Sequence, residues 1–105
     1  MAATLLTHYT VLYSSNQFPR RIGLMAGDEF VGQVVFHPDG ATLPEDALQD
    51  GQPQLHMHLA DYANVMDLLR NERPVELIFS GEGGSNENVL RAHGERVGEG
   101  ESRRR

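Results

Sequence analysis

Leu55 to Ser80, LHMHLADYANVMDLLRNERPVELIFS, constrains the fold more than any other stretch, because it reads as strand, helix, strand with clear punctuation. Gln54–Leu59 alternates, with Leu55, Met57 and Leu59 on one face and His56 and His58 on the other, the period of a half-buried strand. Asp61 stands where a carboxylate caps the first unpaired N–H groups of a helix. Tyr62, Val65, Met66 and Leu69 then fall at i, i+3, i+4 and i+7, one apolar stripe, with Asp67, Arg70 and Asn71 on the polar side. Pro74 stops the helix, since it has no N–H to donate and disfavours helix in Arg73 before it. Val75–Ser80 follows as a strand with Val75, Leu77 and Phe79 inward.

The residues before this unit read as strands. In His8–Tyr13, Tyr9, Val11 and Tyr13 share one face. Ser14, Ser15, Asn16 and Pro19 mark a turn, and Arg21–Ala26 alternates again, with Ile22 and Leu24 together. Gly27-Asp28 reads as a tight turn into Phe30–His37, which predicts a hairpin. Phe30, Val34 and Phe36 are assigned to one face of that strand and Val31, Val35 and His37 to the other. Two partly apolar faces suit a central strand, and Gly32 marks a bulge or a close backbone approach. Pro38–Gln54 is a long connection in which Thr42-Leu43-Pro44-Glu45 has capping-box spacing, so one helical turn is expected over Pro44–Leu48. After a Gly-rich loop at Gly81–Asn86, Asn88–His93 reads as a short last strand. The order β-β-β-β-α-β-β predicts one α+β domain over residues 1–93. Its expected architecture is a mainly antiparallel, strongly curved or barrel-like sheet of five to six strands with one main α-helix. Residues 94–105, GERVGEGESRRR, lack apolar periodicity and are expected to form a disordered tail.

Composition then removes function classes. The 105 residues carry a net charge of −6, and the terminal Arg103, Arg104 and Arg105 leave −9 on the remainder when their three charges are set aside. A body so acidic repels phosphate backbones, so no nucleic-acid partner is expected. The apolar runs are too short to span a bilayer, so no membrane partner is expected either. No cysteine is present, which rules out disulfides, thiolate nucleophiles and cysteine zinc sites. All nine basic residues are arginine, which rules out a Schiff-base or phosphate-loop lysine. The N-terminus, MAATLLTHYT, has neither a basic region nor a long apolar core, and with the absence of Cys this predicts a cytoplasmic protein.

The chemistry-bearing candidates are the histidines. Strand phase puts His8, His37, His56, His58 and His93 on the face away from the helix. His56 and His58, two apart on a strand, lie roughly 6.5–7 Å apart along it on one side. With a third ligand from a neighbouring strand, His37 first and His8 or Asp61 after it, they make a candidate site for a divalent metal such as zinc. The ordinary reading is that outward positions of half-buried strands simply carry polar residues. Glu45, Asp46 and Asp50 lack Ca²⁺-loop spacing, Gly81–Gly84 lacks GxGxxG spacing and a lysine, and Ser14 and Ser15 lack a GxSxG context. No group of residues joins a nucleophile, a base and an orienting group, so no catalytic residue and no cofactor is assigned.

Two resemblances stand beside this reading. His56 and His58 resemble the HxH of cupin metal sites, with Asp61 near the position of the Glu that follows it. The second, Gly-rich motif with its more distant His has no counterpart. The segment DLLRNERPVELIF, followed by ERVGEGE, is similar to small bacterial proteins of no assigned activity that end in a PVGEGE-like sequence, with Arg96 in place of the Pro. That resemblance implies a bacterial protein and carries over no catalytic residue. The expected function is non-enzymatic action through protein contacts, with a protein partner or self-association as a homodimer through an exposed strand edge. The alternative is a metal-binding or metal-dependent protein built on His56, His58 and His37.

Overall fold

The computed structural model describes residues 2–15, 18–83 and 86–92. Its strands are β1 (Ala2–Leu6), β2 (His8–Leu12), β3 (Arg21–Ala26), β4 (Glu29–His37), β5 (Ala47–Gln49), β6 (Gln52–His58), β7 (Val75–Phe79) and β8 (Val89–Ala92). Between β6 and β7 a 3-10 turn, Leu59–Asp61, leads into the single helix α1, Tyr62–Asn71. The fold class is α+β, as expected. The strands, however, form two sheets rather than one of five to six strands. One is three-stranded in the order β1-β7-β8, the other five-stranded in the order β2-β3-β4-β6-β5, and neither closes into a barrel. All pairings are antiparallel except β4 with β6. The expected tail at 94–105 and His93 lie outside the described residues.

Hydrophobic phase explains most of the core. Ile22 and Leu24 of β3, Val34 and Phe36 of β4 and Leu55 of β6 point to one face of the five-stranded sheet. Leu77 of β7 and Val65 and Met66 of α1 close over them, with Tyr62 and Leu69 at the margin. The Tyr62 ring meets Phe36 edge-on, centroids 5.1 Å apart, a favoured aromatic geometry. The helix stripe therefore does what its spacing predicts.

Ala2–Leu6 adds a strand, held by pairing with β7. Three expectations are corrected. The helical turn expected at Pro44–Leu48 is replaced by β5, which pairs with β6 through a tight turn at Asp50-Gly51. Both turn residues have positive φ, 52° and 81°, the backbone that a two-residue hairpin requires and that Asp-Gly accommodates. Asp61 makes no side-chain cap. The carboxylate at the helix entrance is that of Asp39, whose Oδ1 accepts the Ala60 N–H at 2.8 Å. Finally, Phe30 leaves the face of Val34 and Phe36. The β3–β4 register pairs Leu24 with Gly32 but Met25 with Phe30, leaving Val31 as an extra residue in a bulge. Phe30 is thereby moved to the outer face, where its ring lies against Gly23, and Val31 packs on the core.

Gly32 is the point where the two sheets meet. A Cβ there would sit 2.9 Å from Leu77 Cδ2 and 2.9 Å from the Pro53 carbonyl oxygen. One of those neighbours is backbone and the other is fully buried. Gly32→Ala is expected to lower the urea unfolding free energy by about 1–3 kcal/mol through overpacking. Gly23→Ala, which meets only the half-exposed Phe30 ring, is expected to cost less. Equal losses at the two sites would contradict this account of sheet spacing.

Candidate functional site

Because Val34, Phe36 and Leu55 turn inward, His37, His56 and His58 turn outward from the five-stranded sheet. The parallel pairing of β4 with β6 sets Val35 opposite His56 and His37 opposite His58. His37 and His56 are thus diagonal neighbours. His37 Nε2 and His56 Nδ1 lie 2.8 Å apart, with ring centroids 5.0 Å apart. At that separation one nitrogen carries a proton and the other accepts it, so the two rings share one hydrogen bond. If both rings were protonated, both nitrogens would be donors and the bond would be lost.

His58 does not join this pair. Its Nε2–H donates to the Ala41 carbonyl at 2.7 Å, which fixes the tautomer of the neutral ring and straps the long connection to the end of β6. His8 lies on β2, two strands from β4, and its Nδ1 pairs with Thr7 Oγ1 at 2.8 Å. Among the described residues, no group of three or more His, Asp or Glu side chains is placed to hold a metal ion.

Asp46 belongs to this site, and the sequence placed it only in an acidic loop. Its Oδ1 accepts the His56 backbone N–H at 2.9 Å, and its Oδ2 accepts the Asn88 Nδ2–H at 3.1 Å. Its carbonyl oxygen accepts Gly83 N–H at 3.0 Å, and Asn88 Oδ1 in turn accepts Ser80 N–H at 2.7 Å. β5 covers β6 only as far as Gln54, so the Asp46 carboxylate takes over the strand's outer edge from there. The Gly-rich loop is used in the same way, since Glu82 Oε2 accepts the Leu48 N–H at 2.9 Å. Its described residues Glu82 and Gly83 are thus tied to Leu48 and Asp46.

Burial, and behind it the neighbouring His37, lower the His56 pKa below the usual 6.5, and the Asp46 carboxylate opposes them. Three surface grooves are lined by other residues. One, of about 750 Å³, runs between Leu5–Tyr9 and the end of α1 with the turn after it, Leu69–Val75. A second, about 380 Å³, lies near Phe30 and Pro53, and a third, about 350 Å³, lies between α1 and β8. The geometry of the pair supports sharing of one proton between the two facing ring nitrogens.

β2 is a strand, as expected, but its position at the edge of a sheet does not follow from strand phase. It is an end strand of the five-stranded sheet and is exposed along its length apart from Tyr9. A simple sequence signal marks it: the first charged residue of the chain is Arg20. No family model, curated protein or solved structure matches the chain.

The lowered His56 pKa has a definite sign. The unfolded chain takes up a proton near pH 6.5, whereas the folded chain resists it, so this contribution to stability is complete above pH 6.5 and is lost as pH falls. Melting temperature is expected to drop between pH 7.5 and pH 5.5, and His56→Gln is expected to flatten that dependence. An imidazole NMR titration midpoint for His56 at or above 6.5 would contradict the assignment.

Proposed function

We propose that this is a cytoplasmic, non-enzymatic protein that acts through contacts with protein chains, and that the contact surface is the free edge of β2. One observation carries the reading. Residues 1–19 contain no Asp, Glu, Lys or Arg in a chain that is 23% charged, and of the two end strands they form, β1 and β2, β2 exposes Val11 and Leu12, with Tyr13 exposed just beyond it. Edge strands that are to stay unpaired usually carry charges, prolines or bulges. Of the other three end strands, β1 is likewise charge-free, whereas β8 and β5 have such features. β8 bears Arg91, bonded to Glu76 at 2.6 Å, and β5 is three residues long with Glu82 on its Leu48 N–H. The acidic character of the chain favours protein over nucleic-acid partners. Among the described residues no helix is long and apolar enough to cross a membrane. The similarity of Asp67–Phe79 to small bacterial proteins supports a bacterial origin.

The same reading treats the two sheets as parts of one strongly curved wall. β1 and β2 are separated only by Thr7, whose N–H donates to the Met25 carbonyl at 2.9 Å and so carries the β2–β3 pairing to the end of β1. The three-stranded sheet begins where the five-stranded one ends.

Leu12 is partly exposed, so Leu12→Lys is expected to leave stability within about 0.5 kcal/mol of wild type. Tagged in its host, the variant is expected to lose the chains that co-purify with wild type, while Asp50→Lys at the far hairpin keeps them. Identical recovery with both variants would end the proposal.

A divalent metal such as zinc is a second reading, supported by the facing nitrogens of His37 and His56. Zinc sits at about 2.0–2.1 Å from each ligating nitrogen, so the pair would have to open beyond hydrogen-bond distance and His58 would have to release Ala41. Zinc titration followed by the imidazole signals tests it. Shifts at His37, His56 and His58 together support the site, and signals unmoved at millimolar zinc exclude it.

A further inference from the structure

We propose that the chain seated on the β2 edge is a second copy of this protein, with the two β2 strands antiparallel about a two-fold axis at Thr10. The inference rests on the β2 edge being the contact surface and adds the identity of the occupant.

The strand is complementary to itself. Centring two copies on Thr10 sets Thr10 opposite Thr10, Tyr9 opposite Val11, and His8 opposite Leu12 of the second copy. Thr–Thr and aromatic–β-branched pairs are favoured cross-strand neighbours, and no like charges meet because the strand has none. The register also preserves the faces. In each copy Tyr9 and Val11 are paired with Leu24 and Ile22, the core side of β3, whereas Thr10 and Leu12 are paired with Gly23 and Arg21 on the outer side. Tyr9 therefore meets Val11 on the inner side and Thr10 meets Thr10 on the outer side, so both cores stay on the same side of one continuous sheet. A register displaced by one residue would set inner against outer residues throughout.

The surroundings leave room for a strand. The groove of about 750 Å³ beside Leu5–Tyr9 has the end of α1 and the turn after it, Leu69–Val75, as its far wall. A strand pairing with β2 lies about 4.8 Å from it, and the groove borders the His8–Tyr9 end of β2. The antiparallel register carries Leu12 and Tyr13 of the second copy past His8 toward this wall. Tyr13 is 73% exposed, and its ring already lies 4.0 Å from the Arg20 guanidinium in its own chain. Arg70 and Arg73 on the wall make no ion pair among the described residues, and an aromatic ring suits them better than a second cation. The two-fold closes the assembly at two copies, because pairing uses the β2 edge of each.

The absence of cysteine makes the test clean. Directly opposed residues in an antiparallel pair have Cα atoms about 4.5–5.5 Å apart, within disulfide reach. Purified Thr10→Cys is expected to form a reducible species of twice the mass under mild oxidation, several-fold faster than Leu48→Cys on the β5 edge. A mixture of His8→Cys and Leu12→Cys chains is expected to cross-link while neither does so alone. All variants are compared only after circular dichroism matches wild type. Equal rates for Thr10→Cys and Leu48→Cys, or linkage of His8→Cys chains alone, would overturn the two-fold pairing. If these fail while Leu12→Lys still strips co-purifying chains, the occupant is a different protein and the contact surface stands. If the cross-links form and Leu12→Lys changes no co-purification, the pairing stands and the wider contact role falls.

Discussion

The seating of Leu77 on Gly32 is the contact on which the two-sheet arrangement depends. β7 reaches the core of the five-stranded sheet because one position on β4 has no side chain. β1 and β8 pair only with β7 within their sheet, so their placement follows from that contact. The helix completes the same core from the other side with Val65 and Met66. A chain of this length supports one core, and that core uses the inner face of both sheets. What is left for function is the outer face, the grooves and the strand edges.

The outer face and the edges divide the work. On the outer face, His58 and Asp46 are committed to structure, one holding Ala41 and the other spanning β6 and Asn88. The His37–His56 hydrogen bond satisfies two ring nitrogens that would otherwise be half-buried without partners. Burial there opposes protonation of His56, which makes the folded state sensitive to acid. The edges of β5 and β6 are closed by Glu82 and Asp46, and that of β8 is flanked by an ion pair. The end strands β1 and β2 carry no charge, and β2 keeps Val11 and Leu12 partly in solvent. The proposed pairing covers that exposed apolar surface.

Local patterns made β2, β3, β4, α1 and β7 legible, because period and punctuation agree in each. Ile22 and Leu24, Val34 and Phe36, and the Tyr62–Leu69 stripe all follow from spacing alone. β1 was not legible, since AATLL has no alternation and is a strand only because β7 supplies partners. β5 was legible in principle. Asp50-Gly51 is a strong hairpin turn, but the capping-box spacing at Thr42–Glu45 competed with it and suggested a helical turn. Phe30 went to the wrong face because alternation cannot register the extra residue of a bulge. Outward phase was enough to group His37, His56 and His58. Which two of them touch depends on the parallel register of β4 and β6, and that register is set by a connection of irregular backbone that carries no periodic signal. The charge-free run to Pro19, by contrast, is visible in the sequence and becomes meaningful only when β2 is known to be an edge.

The central claim is that this protein works through its β2 edge and not through its histidine face. A concentration series of ¹H–¹⁵N correlation spectra on the wild-type chain tests it directly. The account expects amide shifts that grow with concentration and cluster at Thr7–Tyr13 and Leu69–Val75. Shifts centred on His37, His56 and His58, or none at any concentration up to millimolar, would contradict it.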